Sequence, residues 1–325
     1  MPKLSHPPAS RPSGRPINRS MLAEVAEGLA APQKELSPKY FYDHRGSELF
    51  EAITRLPEYY PTRTERALLT GWMPELMAQL GTRTLVELGA GNADKSRIIL
   101  DAMRATGLGQ VYVPIDVSAT FLAQTAARLR REYPGLTVEP AVADIAEELN
   151  LPRQLPRPAL FAFLGSTIGN FYPPAAIRLL SRVRATMAPG DRFLLGVDLR
   201  KDIARIEAAY NDSQGLTAEF NRNMLLVLNQ ELGADFDPDA FEHRAFYDRV
   251  AHRIEMHLVS VRPQMVHLPG LEPVRFAAGE SIRTEISTKY DRDSVAALFD
   301  AAGLAIEAWP RDPDTPFGLV LGAPA

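Results

Sequence analysis

Two stretches of this sequence combine glycine with polar side chains in a way that suits ligand chemistry. Val86-Glu87-Leu88-Gly89-Ala90-Gly91-Asn92 reads as a buried strand running into a glycine-rich turn that opens a helix. Glycines at such a turn let the backbone approach a ligand closely, with the helix N-terminus behind it. A dinucleotide fingerprint needs a third glycine three residues after Gly91. Asp94 stands there, and its carboxylate repels a pyrophosphate. Asp116 ends the next apolar strand, the usual place for a carboxylate that accepts from both hydroxyls of a ribose. Asp144 ends a third strand, where a side chain can reach an adenine amine. Each acid alone also suits a solvated loop or a helix cap. Together, three acids and two glycines fall at the C-terminal ends of three successive strands, the edge where open α/β sheets bind ligands.

A nucleoside ligand without phosphates fits this pattern. The E-x-G-x-G turn is similar to that of S-adenosylmethionine (SAM) methyltransferases. Lys95, just inside the first helix, can balance a carboxylate such as that of the cofactor's methionine tail; its plainer reading is a solvated helix lysine. Leu164-Gly165-Ser166-Thr167-Ile168-Gly169-Asn170-Phe171-Tyr172-Pro173-Pro174 follows the fourth strand. In such enzymes that loop faces the transferred methyl group. Asn170 carries a neutral amide that can hold an amine through its carbonyl and a carboxylate through its NH2. A turn asparagine before a proline pair is the plainer reading. In Ser281-Ile282-Arg283-Thr284-Glu285-Ile286-Ser287-Thr288, Ile282 and Ile286 face one way, Glu285 and Ser287 the other. At strand rise the last two stand about 6.5–7 Å apart, able to bracket a five-membered ring bearing two nitrogens. A solvated outer face is the commoner fate of such a pair.

These residues need elements to hold them. Apolar runs at Thr84–Leu88, Val111–Asp116, Thr137–Ala143, Ala159–Leu164 and Asp191–Val197 alternate with helical patterns at Ser96–Thr106, Ser118–Tyr133 and Pro174–Ala188. That rhythm means βαβ units and a parallel sheet. Upstream, Met21–Leu29 reads as an amphipathic helix, the aromatic-rich stretch Pro38–Ser47 ends on Ser47 as a helix N-cap, and Thr62–Leu80 is helical up to Gly81. Beyond Asp198 the rhythm changes. Helical stretches at Ile203–Tyr210 and Leu216–Leu232 lead into strands with polar–apolar alternation, as in Arg253–Leu258 and Ser281–Tyr290. A helix at Asp293–Ala302 and strands at Ala305–Trp309 and Gly318–Leu321 return to the first sheet.

The chain has 325 residues, 46% of them hydrophobic and 23% charged, an ordinary globular composition. Thirty-six basic residues against 40 acidic ones give a net charge of −4, which disfavours a general nucleic-acid or anionic-membrane binder. The absence of cysteine excludes disulfides, thiolate metal sites and cysteine nucleophiles. The six histidines are scattered, no H-E-x-x-H string occurs, and no G-x-S-x-G elbow supports a serine hydrolase. No metal is expected. No apolar run approaches the about 20 residues that span a bilayer, and the first residues lack the apolar core of a secretory signal. A flexible arm over residues 1–16 and a cytoplasmic location are therefore expected.

Longer strings are more specific than the turn. Pro38-Lys39-Tyr40-Phe41-Tyr42-Asp43, Leu56-Pro57-Glu58-Tyr59-Tyr60-Pro61-Thr62-Arg63, Phe163–Asn170, Ala218-Glu219-Phe220-Asn221-Arg222-Asn223 and Thr284-Glu285-Ile286-Ser287 resemble the histidine-specific SAM-dependent Nα-methyltransferases of ergothioneine biosynthesis, from about residue 20 to the C-terminus. The resemblance implies an α/β fold: a Rossmann-like class I SAM methyltransferase domain with a smaller α+β substrate-binding domain. The expected division is 17–63 and 199–287 for the substrate domain, 64–198 and 288–325 for the methyltransferase domain. It implies trimethylation of the α-amine of histidine to hercynine, by way of the mono- and dimethylated forms, in a chain expected to act as a monomer. By matched position, Gly89, Gly91, Lys95, Asp116 and Asp144 would contact SAM. Tyr59, Asn170 and Tyr210 would hold the amino-acid backbone, with Tyr59 and Asn170 in catalytic roles. Glu285 and Ser287 would hold the imidazole, and Tyr42, Phe50 and Met256 would line the pocket.

Two positions depart from the family pattern. Ala90 replaces a frequent serine in the turn, and Ile145 follows Asp144 where an aromatic is common. Related proteins act on tryptophan-like or tyrosine substrates, which leaves an Nα-methyltransferase of another aromatic amino acid as the alternative; the Glu-x-Ser pair favours imidazole. A nucleic-acid amine methyltransferase is a weaker rival, because Asn170-Phe171-Tyr172-Pro173-Pro174 only loosely echoes an N-P-P-Y loop and no basic stripe accompanies it. A SAM-binding sensor would not need polar groups aimed at a reacting centre.

Overall fold

The computed structural model describes residues 18–310 and 316–325. The arm expected over residues 1–16 lies outside the described residues. The chain forms two compact units: the described part of Met1–Tyr59 with Asp202–Ile286, and Tyr60–Lys201 with Ser287–Ala325. The units divide after Tyr59, Lys201 and Ile286. Residues 60–63, 199–201 and 287, expected in the substrate domain, go with the second unit; Tyr60 and Lys201 are held there by hydrogen bonds to Asp198.

The larger unit opens with helix α3 (Tyr60–Leu80), numbered after α1 (Arg19–Ala30) and α2 (His44–Ile53) of the other unit. It continues through β1 (Thr84–Leu88), α4 (Asp94–Thr106), β2 (Val111–Asp116), α5 (Ala119–Glu132), β3 (Thr137–Val138), β4 (Ala141–Val142), β5 (Ala159–Phe163), α6 (Pro173–Thr186) and β6 (Arg192–Asp198). Strands β6, β5, β1, β2 and β3 lie side by side and parallel, and β4 also pairs with β2. Every residue of β1 and β5 is buried, as the continuous apolar runs of a sheet covered on both faces require. From β1 the chain moves outward through β2 to β3, then returns to build β5 and β6 on the other side. The switch point therefore lies between β1 and β5, and the loops after those two strands diverge there to leave a ligand crevice.

The strand expected over Thr137–Ala143 is two short pieces instead. Pro140 lies between them and has no N–H to donate to the ladder, whereas Glu139 and Ala143 donate to Tyr112 and Asp116 of β2 on either side of it. The helix expected to begin at Ser47 begins at His44, because Asp43 is the N-cap and accepts from the Gly46 amide at 2.7 Å.

The smaller unit holds α1, α2, α7 (Ile203–Ala208), α8 (Leu216–Leu232) and the strands β7 (Phe241–Asp248), β8 (Arg253–Ser260), β9 (Gln264–Val266), β10 (Val274–Phe276) and the first residues of β11 (Ser281–Thr288). Strands β11, β8 and β7 form one sheet with β8 central, and β9 and β10 form a separate hairpin. The last residues of β11 enter the larger unit, followed by α9 (Arg292–Ala301), β12 (Leu304–Ala308) and β13 (Phe317–Pro324). β13 pairs antiparallel with β6, and β12 antiparallel with β13, which completes the larger sheet. Among the described residues no helix is long and apolar enough to cross a membrane.

Candidate active site

The turn after β1 is fixed from both sides. Gly89 and Gly91 have φ of +67° and +52°, a region that favours glycine. The Gly89 and Ala90 amides donate to the Ile115 carbonyl of β2. One oxygen of Asp116 accepts from the Gly91 amide at 3.0 Å and the other from the Ser118 amide at 3.0 Å. The carboxylate at the end of β2 thus sets the shape of the turn, and it remains half-exposed. Among the described residues, a Cβ at Gly91 would meet no non-neighbouring atom within 4 Å, and one at Gly89 only the Phe163 ring at 3.9 Å. The turn has open space on its outer side, which leaves room for a nucleoside ligand. Asp144 follows β4, half-buried, and accepts from the Ala146 amide at 2.9 Å. Ile145 packs its side chain against the core.

Below the turn, Glu87 is buried. Its carboxylate accepts from the Ser96 and Tyr112 hydroxyls, the latter at 2.5 Å. Burial raises the Glu87 carboxyl to about 7, and the two hydroxyl donors pull in the opposite direction without cancelling it. The first acid of the E-x-G-x-G string is therefore a support for the strand-to-helix turn, pointing inward.

Lys95 has a carboxylate partner within the protein. Its ammonium lies 2.6 Å from Glu65, a fully buried side chain of α3. The two Glu65 oxygens also accept from the Gly165 amide at 2.8 and 3.0 Å. Glu65 thereby ties α4 to the loop after β5, the two lips of the switch point. Nothing in the sequence marks Glu65, since its partners lie 30 and 100 residues away.

That loop carries Asn170. Ser166 has φ of +59° and accepts the Asp198 amide on its hydroxyl at 2.8 Å. Gly169 approaches β11 so closely that a Cβ would stand 2.8 Å from the Thr288 carbonyl oxygen. Two residues expected in the site, Asn170 and Ser287, are thus brought together through their neighbours. Among the described residues the Asn170 amide makes no hydrogen bond to protein, and it is half-exposed.

Beside Ser287 runs a buried polar network that sequence reading missed. Lys289, 1% exposed, donates to the Ser287 hydroxyl at 2.9 Å and lies 3.1 Å from Asp198. Asp198 also accepts from the Tyr60 hydroxyl at 2.7 Å and from Lys201, which in turn donates to Tyr60 at 2.7 Å. The only sequence signal is the alternation Glu285, Ser287, Lys289, which puts three polar residues on one side of a strand.

In the smaller unit four of the expected substrate residues form one aromatic chain. Tyr42 meets Phe50 at 5.7 Å between ring centroids, Phe50 meets Tyr59 at 6.1 Å, and Tyr59 meets Tyr210 at 6.4 Å, all edge to face. Phe220, not singled out from the sequence, packs against both Tyr42 and Phe50. Asn223 donates to the N-cap Asp43 at 2.8 Å, so α8 fixes the start of α2.

Buried Asn221 organises the strands beneath. Its amide nitrogen donates to the His257 carbonyl and to Nδ1 of His243, and its oxygen accepts from Thr284 at 2.7 Å. Because the amide nitrogen only donates, Nδ1 of His243 is the acceptor and Nε2–H donates to the Tyr210 carbonyl at 2.8 Å. Burial lowers the His243 pKa, in keeping with this neutral tautomer. The single Thr284 hydroxyl hydrogen is shared between Asn221 and the Met256 carbonyl, the latter at 3.1 Å, so Tyr210, Met256 and the strand bearing Glu285 hang on one network. Met256 is buried. Glu285 is half-buried, on the opposite side of β11 from Ile282, Thr284 and Ile286.

No cluster of metal-ligating side chains occurs among the described residues. A family model described as histidine-specific, SAM-dependent methyltransferase matches residues 21–324. The chain is 47% identical over 299 residues to the histidine N-alpha-methyltransferase of Mycolicibacterium smegmatis, covering 92% of this chain and 93% of that protein. It is 46% identical over 302 residues to the protein of the same name from Mycobacterium tuberculosis, covering 92% and 94%. Among solved structures it is similar to the CcbJ methyltransferase from Streptomyces caelestis, with a TM-score of 0.47 and 14% identity over 84% of this chain and 98% of that one.

Proposed function

Because this chain belongs to the family of histidine-specific, SAM-dependent methyltransferases, and is therefore a SAM-dependent methyltransferase, we propose that it methylates the α-amino nitrogen of free L-histidine three times, ending at the betaine hercynine. This would be the first step of ergothioneine biosynthesis. The observation that carries the reading is the seat of Asn170. Its amide has no protein partner among the described residues, and its loop is packed through Gly169 onto the backbone that follows Ser287. That is the place for a polar group that orients an amine at the mouth of the β1–β5 switch point.

When bound, the cofactor supplies a methyl group on a positively charged sulfur. The roles of the chain's own residues follow. Asp116 accepts from the ribose hydroxyls while keeping the turn in shape, Gly89 and Gly91 admit the cofactor's close approach, and Asp144 meets the adenine amine. Lys95, anchored by Glu65, faces the methionine carboxylate. Tyr59, Asn170 and Tyr210 hold the amino and carboxylate groups of histidine; Glu285 and Ser287 take its ring, with Tyr42, Phe50 and Met256 against it.

In each round Tyr59, Asn170 and Tyr210 would hold the amine nitrogen where it can take the methyl group, the neutral thioether being the leaving group. The nucleophile is the neutral amine, so the incoming ammonium loses a proton first. Positioning within about 3 Å and exclusion of water supply most of the acceleration, and the proton passes to water or to a tyrosine.

A mixture of histidine, tryptophan and tyrosine at equal concentration, incubated with enzyme and SAM, separates this reading from the alternative aromatic substrates. Mass spectrometry should find methyl groups on histidine alone. Preferred methylation of another amino acid contradicts the substrate assignment.

A further inference from the structure

Asn221 of α8 is 0% exposed, in a place where an apolar side chain would need no hydrogen-bond partners. Its surroundings allow the amide only one orientation. The His257 carbonyl can only accept, so the Asn221 nitrogen faces it at 3.1 Å, and the Asn221 oxygen accepts from the Thr284 hydroxyl at 2.7 Å. The second amide hydrogen points to Nδ1 of His243 at 2.9 Å. That nitrogen must be bare, and Nε2–H donates to the Tyr210 carbonyl at 2.8 Å. Each donor and acceptor along this line is dictated from both ends.

The line joins two parts of the smaller unit that are far apart in sequence. At one end is Tyr210, just after α7. Its loop is tied to β7 a second time by Asn211, which donates to the Ala245 carbonyl at 3.1 Å and accepts from the Ala245 amide at 3.3 Å. At the other end is Thr284, which precedes Glu285 on β11. We propose that His243 and Asn221 are specificity-determining positioning residues: they fix the separation between Tyr210, at the amino-acid backbone, and Glu285, at the ring, and so match the enzyme to the length of a histidine side chain.

This inference rests on the reading above that Tyr210 holds the backbone of the substrate and Glu285 its ring. His243 and Asn221 act through the residues they hold. A rigid separation rewards the one amino acid that reaches both ends at once and penalises a longer side chain, such as one ending in indole. If the line is broken, Tyr210 and β11 move independently. Histidine then has to order them on binding and loses affinity, whereas the longer substrate is admitted. A loss of general integrity would instead weaken both substrates together.

The test breaks the line at two places. His243→Phe keeps a ring and removes both nitrogen contacts; Thr284→Val keeps the shape and removes the hydroxyl. Each variant is given histidine and tryptophan at equal concentration with SAM, and the methylated products are measured by mass spectrometry. Both variants should lower the ratio of methylated histidine to methylated tryptophan by about tenfold, the order of one broken buried hydrogen bond. Calorimetric titration of histidine with S-adenosylhomocysteine present should show a matching loss of histidine affinity. His243→Gln, which offers an acceptor oxygen and a donor nitrogen, should restore the ratio. A denaturant melt reports which variants are folded, and Thr284→Val decides alone if His243→Phe is not.

A product ratio that stays at the wild-type value in folded variants overturns the inference. So does an equal fall in both products, which is what a purely structural role gives. Glu285→Ala, run in the same mixture, separates the two levels: if it too leaves the ratio unchanged, the ring assignment of Glu285 fails first, and this inference with it.

Discussion

Gly169 lies against the backbone of Thr288: a Cβ on the glycine would stand 2.8 Å from the Thr288 carbonyl oxygen and 3.0 Å from its nitrogen. Neither atom is the end of a flexible side chain, so relief has to come from moving the loop or the strand. Asn170 follows on one side of this contact and Ser287 precedes it on the other. Gly169→Ala should therefore lower kcat by about 100-fold, since a displacement near 1 Å is enough for that. The stability loss should stay in the about 1–3 kcal/mol range of an overpacked site. Steady-state kinetics beside a denaturant melt checks this; wild-type kcat in a folded variant would show that the contact does not set the position of Asn170.

Asp116 has two duties, the shape of the Gly91 turn and the proposed ribose contact. Charged hydrogen bonds contribute about 1.5–3 kcal/mol each. Asp116→Ala should weaken SAM binding at least tenfold in calorimetry, with the larger unit still folded, because the amides of Gly91 and Ser118 are near solvent and can turn to water. Asp116→Asn should fall between, keeping one acceptor oxygen. Affinity equal to wild type in the alanine variant removes Asp116 from the cofactor site.

Glu87 gives a stability signature with a definite sign. Burial raises its carboxyl from 4.5 to about 7, so the fold favours the protonated form. The contribution is complete below the unfolded-state value and is lost as pH rises through about 7. The melting temperature should decline between about pH 5 and about pH 8, and Glu87→Gln, neutral throughout, should show a shallower decline. A slope in the glutamine variant equal to wild type would mean that Glu87 ionises in the folded protein as freely as in the unfolded chain.

The parallel core was legible because its strands are continuous apolar runs: Thr84–Leu88 and Val111–Asp116 match the observed bounds. Local chemistry that overrides a pattern was not. Pro140 interrupted the third strand, Asp43 took the capping role read for Ser47, and the three-residue strands at 264–266 and 274–276 are too short to show a period. Among candidate site residues, the glycine turn and Asp116 were readable because they are close in sequence to the elements that hold them. Glu65, Asp198 and Lys289 were missed because each gains its meaning from partners far along the chain, Gly165, Tyr60 and Lys289 among them. A lone buried lysine on a strand has no sequence signature beyond its parity with Ser287.

The most direct measurement is single-turnover methylation of histidine and of its α-N-monomethyl and α-N-dimethyl forms with SAM, followed by mass spectrometry from about pH 6 to about pH 10, which brackets the α-amine pKa. All three should be substrates and should converge on one trimethylated product, because a quaternary nitrogen has no lone pair left. The rate with histidine should rise with pH and level off at an apparent pKa below that of the free amine, since burial disfavours the ammonium. A methyl group on the ring nitrogen, a reaction that stops at one or two methyl groups, or a chemical step independent of pH would contradict the account.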